Sequence, residues 1–353
     1  MIRAVIYGAG RLGKHLAQLL VADARHPVVL LDQSEEALDG VCANVSKVVV
    51  AGISNLNSIL KSGDILVATA ASDECLPLAS AALRNRCHYL DFHESKSTAK
   101  AILELEPNGT STLIPSCGFS PGLLSALIAD FAAPLKGSFD LYVYTGVLPT
   151  AKSNRLGYGL VANVEGLLEE YLGTAAIKQN GEWRQIEALS LEETIVVDGE
   201  RFEAFVTGGT TNELPHSVAE KVNNYTYRTL RYPGHLDYIH FLLDELKLRK
   251  RRDRLSSLLR NGLPSVEHDQ VIIHLSATAC SNSRRDDFRR TWRISGSRSE
   301  GGILYDIAAR HGAAVIDLLA DGHLDCRGSI RQEDIDPGLI LSNPHVRVLF
   351  EKQ

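Results

Sequence analysis

Apolar positions in this chain come first as short unbroken runs, each followed by a stretch with helical spacing. Ile2 to Tyr7 is such a run and predicts a strand buried on both faces of a parallel sheet. Leu12, Leu16, Leu19 and Leu20 then recur at the spacing of a helix with one apolar face. Pro27 to Leu31 is a second apolar run and ends in Asp32. Val48 to Val50 anchors a third strand, Asp64 to Ala68 a fourth, His88 to Leu90 a fifth and Leu113 to Pro115 a sixth, with a helix over Leu76 to Leu83. Repeated strand–helix units predict an α/β domain, a Rossmann-type doubly wound parallel sheet.

The pattern changes near Gly118. Asn180-Gly181 lies between the alternating segments Ala176–Lys178 and Trp183–Ile186, and Asp198-Gly199 between Thr194–Val197 and Phe202–Val206. Both dipeptides suit the type I′ turns of tight hairpins. Tyr225 to Leu230, Gln270 to Thr278 and Phe288 to Ile294 also read as strands, so a second α+β domain on a mainly antiparallel sheet is predicted. From Gly302 the spacing is helical again, with Leu304, Ile307, Ala308, Ala314, Val315, Leu318 and Leu319 apolar. The predicted organisation is a first domain over 1–118 to which 302–350 returns, and a second over 119–301 that binds substrate and carries oligomerisation.

The first turn carries chemistry. Gly8, Gly10 and Gly13 stand at G-x-G-x-x-G spacing between the first strand and the first helix, and Asp32 ends the second strand. Such glycines permit the tight turn, the approach of a pyrophosphate and close helix packing. The helix start, at Arg11 and Leu12, offers free N–H groups to phosphate. Asp32 suits the adenosine ribose, and Gln33-Ser34 after it supplies no arginine for a 2′-phosphate, so NAD is expected over NADP. Thr69 and Ala70, after the fourth strand, and Asp91 to Glu94, after the fifth, fall at the rim where such sheets bind ligands.

Composition narrows the classes. A net charge of −6 over 353 residues argues against general nucleic-acid binding, and no apolar run spans a bilayer. The chain opens on its first strand, and its six cysteines are scattered, which predicts free thiols in a reducing cytoplasm. Its twelve histidines form no metal-ligand spacing, so no metal is expected. The basic run Lys247 to Arg254 reads as a solvated helix face.

Four segments can serve a nicotinamide reaction. In Tyr89-Leu90-Asp91-Phe92-His93-Glu94 a carboxylate and an imidazole end a strand, placed to hold an ammonium or move a proton; the alternative is that Asp91 or Ser95 caps the next helix. Cys117-Gly118-Phe119-Ser120-Pro121-Gly122 is a fixed turn whose Cys117 has no nearby histidine and reads as a small buried thiol. Gly157-Tyr158 through Asn163 to Glu169-Glu170-Tyr171 is a loop entering a helix, with Glu169 and Glu170 expected in solvent. Thr229-Leu230-Arg231-Tyr232-Pro233-Gly234-His235 ends a strand in an arginine that can grip a carboxylate and a histidine that can act as acid or base.

The motifs YGAGRLG, YLDFHE, CGFSPG, LGY…EGLLEEY, TLRYPGH and GILYDIAARHGAAVIDLLADG resemble those of the saccharopine dehydrogenase-like family, nearest to its bacterial lysine 6-dehydrogenase-like members. Phe92-His93-Glu94 stands where the family often carries Thr-Gly-Glu. The resemblance implies a Rossmann domain with an inserted α/β domain, a homodimer or larger homo-oligomer, and oxidation or reductive formation of an amine on an amino-acid substrate. It places Asp91, Ser120 and Arg231 against that substrate, with Arg231 on the α-carboxylate and Asp91 or Glu94 on the amino group; Tyr232 lies beside them. The resulting expectation is an NAD-dependent oxidoreductase acting on the ε-amine of L-lysine, with His93 or His235 as acid/base and Asp91 as ammonium contact. The alternatives are a reductase condensing an amino acid with a keto acid or semialdehyde, and an NAD-binding sensor without turnover.

Overall fold

The computed structural model describes residues 1–106, 109–159, 164–208, 214–281, 284–297, 302–324 and 328–351. They form two compact units, Met1–Asp130 with Tyr305–Glu351, and Phe131–Leu304. The first unit thus runs on past 118, because Leu123 N donates to Gly118 O at 3.0 Å and leads directly into a helix.

The first unit contains β1 (Ala4–Tyr7), α1 (Arg11–Ala22), β2 (Val28–Asp32), β3 (Ser46–Val49), β4 (Ile65–Ala68), α2 (Ser72–Arg84), β5 (His88–Asp91), α3 (Lys96–Leu103), β6 (Leu113–Ile114) and the start of α4 (Leu124–Ala132). Its sheet is parallel throughout, in the order β3-β2-β1-β4-β5-β6. The order reverses between β1 and β4, so a crevice lies beyond Tyr7 and Ala68 at their carboxyl ends, where open sheets of this kind take their ligands. The apolar runs are buried as their continuity requires, with Val5, Leu31, Leu66 and Tyr89 in one core. Ser95, rather than Asp91, caps α3, accepting from Thr98 N at 3.2 Å.

The second unit contains β7 (Phe139–Pro149), α5 (Val164–Leu172), β8 (Thr174–Gln179), β9 (Glu182–Glu187), β10 (Glu193–Val197), β11 (Glu200–Phe205), α6 (His216–Ala219), β12 (Val222–Arg231), α7 (His235–His240), α8 (Arg252–Gly262), β13 (His268–Ser281) and β14 (Arg284–Ser297). The sheet runs β10-β11-β12-β7-β13-β14, with β8 and β9 attached beside β12. It is mostly antiparallel; β12 and β7 pair in parallel. Asn180-Gly181 and Asp198-Gly199 have positive φ at both positions, as type I′ turns demand. Tyr171, Phe202, Phe205, Leu230 and Ile272 lie in the core of this unit.

The basic run divides. Lys247 takes a left-handed conformation, Leu248–Lys250 form a single turn, and Arg252 opens α8. Arg252 pairs with Glu169 at 2.6 Å and Arg249 with Asp244 at 3.1 Å, so the surface reading holds with named partners. The chain closes with α9 (Ile303–Ala320), α10 (Pro337–Ser342) and α11 (Pro344–Glu351). Asp269 at the start of β13 caps α9, accepting from Ile303 N at 3.0 Å. Among the described residues no helix is long and apolar enough to cross a membrane.

Candidate active site

The glycine turn is built by steric necessity. Gly8 has φ +110°, and a Cβ on Gly13 would lie 2.0 Å from the Gly8 carbonyl oxygen. Gly10 differs: a Cβ there would meet no atom within 4 Å, so its bareness leaves room for something outside the protein. Gly10 precedes α1 without any side-chain cap, which leaves the first N–H groups to an anion. Arg11 is exposed and Leu12 half-buried beside it. Asp32 accepts from Ala9 N at 2.7 Å and Ser34 N at 2.9 Å, using one lone pair of each oxygen and keeping others. These features fit a dinucleotide. Thr69 is the exception among the expected contacts. Its hydroxyl donates to the Gly8 carbonyl at 2.7 Å and braces the turn from within, while Ala70 is half-buried.

At the end of β5, Asp91 is 1% exposed. Its Oδ1 accepts from Ser116 N at 2.9 Å and His93 N at 3.0 Å. Its Oδ2 is buried with no hydrogen-bond partner among the described residues, and the Ser116 hydroxyl is in the same condition. Burial raises the Asp91 pKa above the ordinary carboxylate value; the two backbone amides oppose the rise. His93 is half-buried and its Nδ1 accepts from Ser95 N at 2.9 Å. The neutral ring therefore carries its proton on Nε2, and burial lowers its pKa against the pull of Asp91. Held in this way, the neutral His93 ring presents Nε2–H as a donor. Glu94 is exposed and Ser120 half-buried in the next turn.

Cys117 has a histidine after all. Its Sγ lies 3.0 Å from His311 Nδ1, on α9, and both side chains are buried. Burial raises the thiol's pKa far above its usual value and lowers His311 to about 3, so a neutral thiol meets a neutral imidazole. A Cβ on Gly122 would lie 2.8 Å from His311, and one on Gly312 would lie 2.6 Å from Phe92, so this packing fixes the turn behind Asp91.

In the second unit Arg231, 2% exposed, donates from Nη2 to Glu170 Oε2 at 2.6 Å and from Nη1 to Leu230 O at 3.0 Å. Its Nε is buried without a partner among the described residues, and its guanidinium lies 4.7 Å from the centre of the Tyr158 ring. Glu170 was expected in solvent beside Glu169; the helix instead turns it inward as the counter-ion of Arg231. Burial raises its pKa and Arg231 opposes the rise. His235 is wholly buried. Its Nδ1 lies 2.9 Å from the Leu156 carbonyl, which can only accept, so Nε2 accepts from Tyr171 OH at 2.8 Å. Burial, then Arg231, lowers its pKa to about 3. With both nitrogens committed, His235 is a brace here rather than the acid/base expected. The Tyr232 hydroxyl is likewise committed, donating to Pro149 O at 2.8 Å and accepting from Gln270 at 3.2 Å. Asn163 and Cys326 lie outside the described residues; Cys42, Cys75, Cys87 and Cys117 are free.

Sequence reading missed Ser116, His311 and the inward turn of Glu170. Ser116 carried one signal, standing directly before the Cys117 turn; His311 carried none, since its partner is 194 positions away.

A glycine turn at the switch point of a parallel sheet, ahead of a helix start with no side-chain cap, marks the first unit as a dinucleotide-binding domain of the Rossmann class. Family comparison agrees over nearly the whole chain. Residues 4–110 match the saccharopine dehydrogenase NADP binding domain and residues 118–337 the saccharopine dehydrogenase C-terminal domain. The chain belongs to the saccharopine dehydrogenase family. Its fold is similar to that of apo saccharopine dehydrogenase (L-Glu forming) from Saccharomyces cerevisiae, with TM-score 0.78, 13% identity, and coverage of 97% of this chain and 96% of that one. It is also similar to homospermidine synthase from Legionella pneumophila in complex with NAD, with TM-score 0.66, 14% identity, and coverage of 99% and 90%.

Proposed function

We propose that this protein is an NAD-dependent oxidoreductase acting on the C–N bond of an amino acid, with the ε-amine of L-lysine as substrate. The observation that carries the proposal is Asp91: a buried carboxyl with one bare oxygen and a raised pKa, at the carboxyl end of a strand beside the dinucleotide crevice. A buried acceptor without a partner costs about 1–3 kcal/mol, which a substrate N–H returns.

Gly8, Gly10, Gly13 and the start of α1 would hold the pyrophosphate and Asp32 the adenosine ribose. The family model is named for NADP; the carboxylate of Asp32 at the ribose edge favours NAD because it repels a 2′-phosphate. When bound, the nicotinamide supplies the hydride acceptor. Asp91 takes the proton of the substrate ammonium and then holds the iminium as it forms. Its raised pKa makes it a stronger base than an ordinary carboxylate. His93, fixed as an Nε2–H donor, steadies the polar groups around Asp91. Water then releases the semialdehyde and ammonium. Glu94 and Ser120, on the same unit as Asp91, complete the substrate contacts.

The test is incubation with L-lysine, other amino acids and diamines, each with NAD or NADP. NADH and ammonium should appear in equal amounts with L-lysine. Turnover only when a keto acid and NADH are supplied would replace this reading with the condensing reductase, and tight NAD binding with no turnover on any substrate would leave a sensor.

A further inference from the structure

Two buried polar side chains at the carboxyl ends of β5 and β6 are pinned together by backbone and left unsatisfied. Ser116, just beyond β6, is 7% exposed, and Asp91, which ends β5, is 1% exposed. The Ser116 amide donates to Asp91 Oδ1 at 2.9 Å, and the Cys117 amide to the Asp91 carbonyl at 2.6 Å. Yet the Ser116 hydroxyl and Asp91 Oδ2 have no hydrogen-bond partner among the described residues, and so are not bonded to each other. Each bare group costs stability, and Ser116 adds the left-handed φ of +59°.

The polar groups packed around the pair are committed elsewhere. The Tyr89 hydroxyl donates to Cys75 O at 3.0 Å, Cys117 Sγ lies 3.0 Å from His311 Nδ1, and His93 Nδ1 accepts from Ser95 N at 2.9 Å. Gln332 Nε2 donates to Pro115 O at 3.0 Å and holds the segment that carries Ser116. A carboxylate oxygen accepts only, and a hydroxyl oxygen can accept as well as donate. One nitrogen satisfies both when it carries at least two N–H groups: the first bonds Asp91 Oδ2 and the second bonds Ser116 Oγ. Primary and secondary ammonium groups meet that requirement, and a tertiary one, with a single N–H, does not. When the first N–H bond breaks and its proton passes to Oδ2, the second N–H still ties the nitrogen to Ser116. The lone pair is then left facing Asp91, with the nitrogen held in place for hydride departure.

We infer that Ser116 is a substrate-positioning residue whose hydroxyl, with Asp91 Oδ2, forms a two-acceptor seat for a primary or secondary amine. The inference rests on the amine reading given above, and its test separates the two. Thermal melts of the full chain use simple ammonium salts as probes. Methylammonium at about 0.1 M should raise the wild-type melting temperature by about 1–3 °C over sodium chloride, and trimethylammonium should not. Ser116→Ala should lose most of that shift. Without amine it should melt at or above the wild-type temperature, because a bare buried hydroxyl is gone; a serine that is only structural would make it melt lower. Ser116→Gly, which relieves the positive φ, should show the same loss of response. Both variants should lose at least about tenfold in kcat/KM for L-lysine with NAD. A methylammonium shift that depends on Ser116, in a protein that oxidises no amine, would refute the proposed reaction and uphold the seat. Equal shifts from both salts, a methylammonium shift that survives in both variants, or undiminished L-lysine turnover by both, would overturn the inference.

Discussion

The Ser116 amide donates to Oδ1 of Asp91 at 2.9 Å, and the other oxygen of that carboxylate is buried with no partner among the described residues. Ser116 does so from a left-handed conformation, φ +59°, that serine seldom adopts. Half of the carboxyl is thus fixed by backbone and half is left for something else. Stability sacrificed in this way is the usual mark of a working site.

The stability of Asp91 variants should reveal that sacrifice. A carboxyl with a raised folded pKa binds more protons folded than unfolded, so its contribution to stability falls as pH rises between the unfolded and folded values. Asp91→Asn removes the buried charge and should raise the melting temperature at neutral pH, with the gain shrinking below about pH 4. Thermal melts of both proteins across pH check this. A variant less stable than wild type at pH 7 would mean that Asp91 is structural.

Asp317 should behave with the opposite sign. Burial pushes its pKa up, but hydrogen bonds from His26 at 2.9 Å and Asn343 at 3.1 Å, with Arg25 and His345, hold it below the carboxylate range. A lowered pKa contributes stability above the unfolded value, lost as pH falls through the folded one. Asp317→Asn should cost about 1–3 kcal/mol at pH 7 and less in acid, read from urea unfolding. An equal loss at both pH values would refute the electrostatic account.

Glu170 and Arg231 should prove coupled. Removing either partner of a buried pair leaves an uncompensated charge and costs about 3–5 kcal/mol. Glu170→Gln and Arg231→Met should each destabilise by that order, and the double variant by clearly less than their sum. Additive losses would show that the 2.6 Å pair carries no special weight.

Cofactor choice should follow Asp32. NADH should bind at least about tenfold more tightly than NADPH, and Asp32→Ser should narrow the ratio by releasing the repulsion at the 2′ position. Fluorescence titration of both cofactors decides it; tighter NADPH binding by the wild type would reverse the assignment.

How much was legible beforehand depended on how local each cause is. Gly8, Gly13 and Asn180-Gly181 announced themselves because backbone sterics act within a few residues, and the apolar runs gave the parallel sheet because burial on both faces writes an unbroken pattern. Glu170 was misread because Glu169 and Glu170 look alike in sequence, yet one helical step sends one to Arg252 and the other to Arg231. For the two histidines the sequence shows the ring but not its hydrogen bonds: Ser95 N holds only Nδ1 of His93, whereas Leu156 and Tyr171 hold both nitrogens of His235, which only three-dimensional packing reveals.

The most direct test of the account is kcat/KM for L-lysine oxidation with NAD, measured against pH for the wild type and Asp91→Asn. The wild type should lose activity as pH falls through a value above the ordinary carboxylate range, and the variant should lose about 10²–10⁴-fold at every pH while binding NADH as before. A variant that turns over L-lysine like the wild type, with the same acid limb, would contradict the assignment of Asp91 as the group that takes the proton.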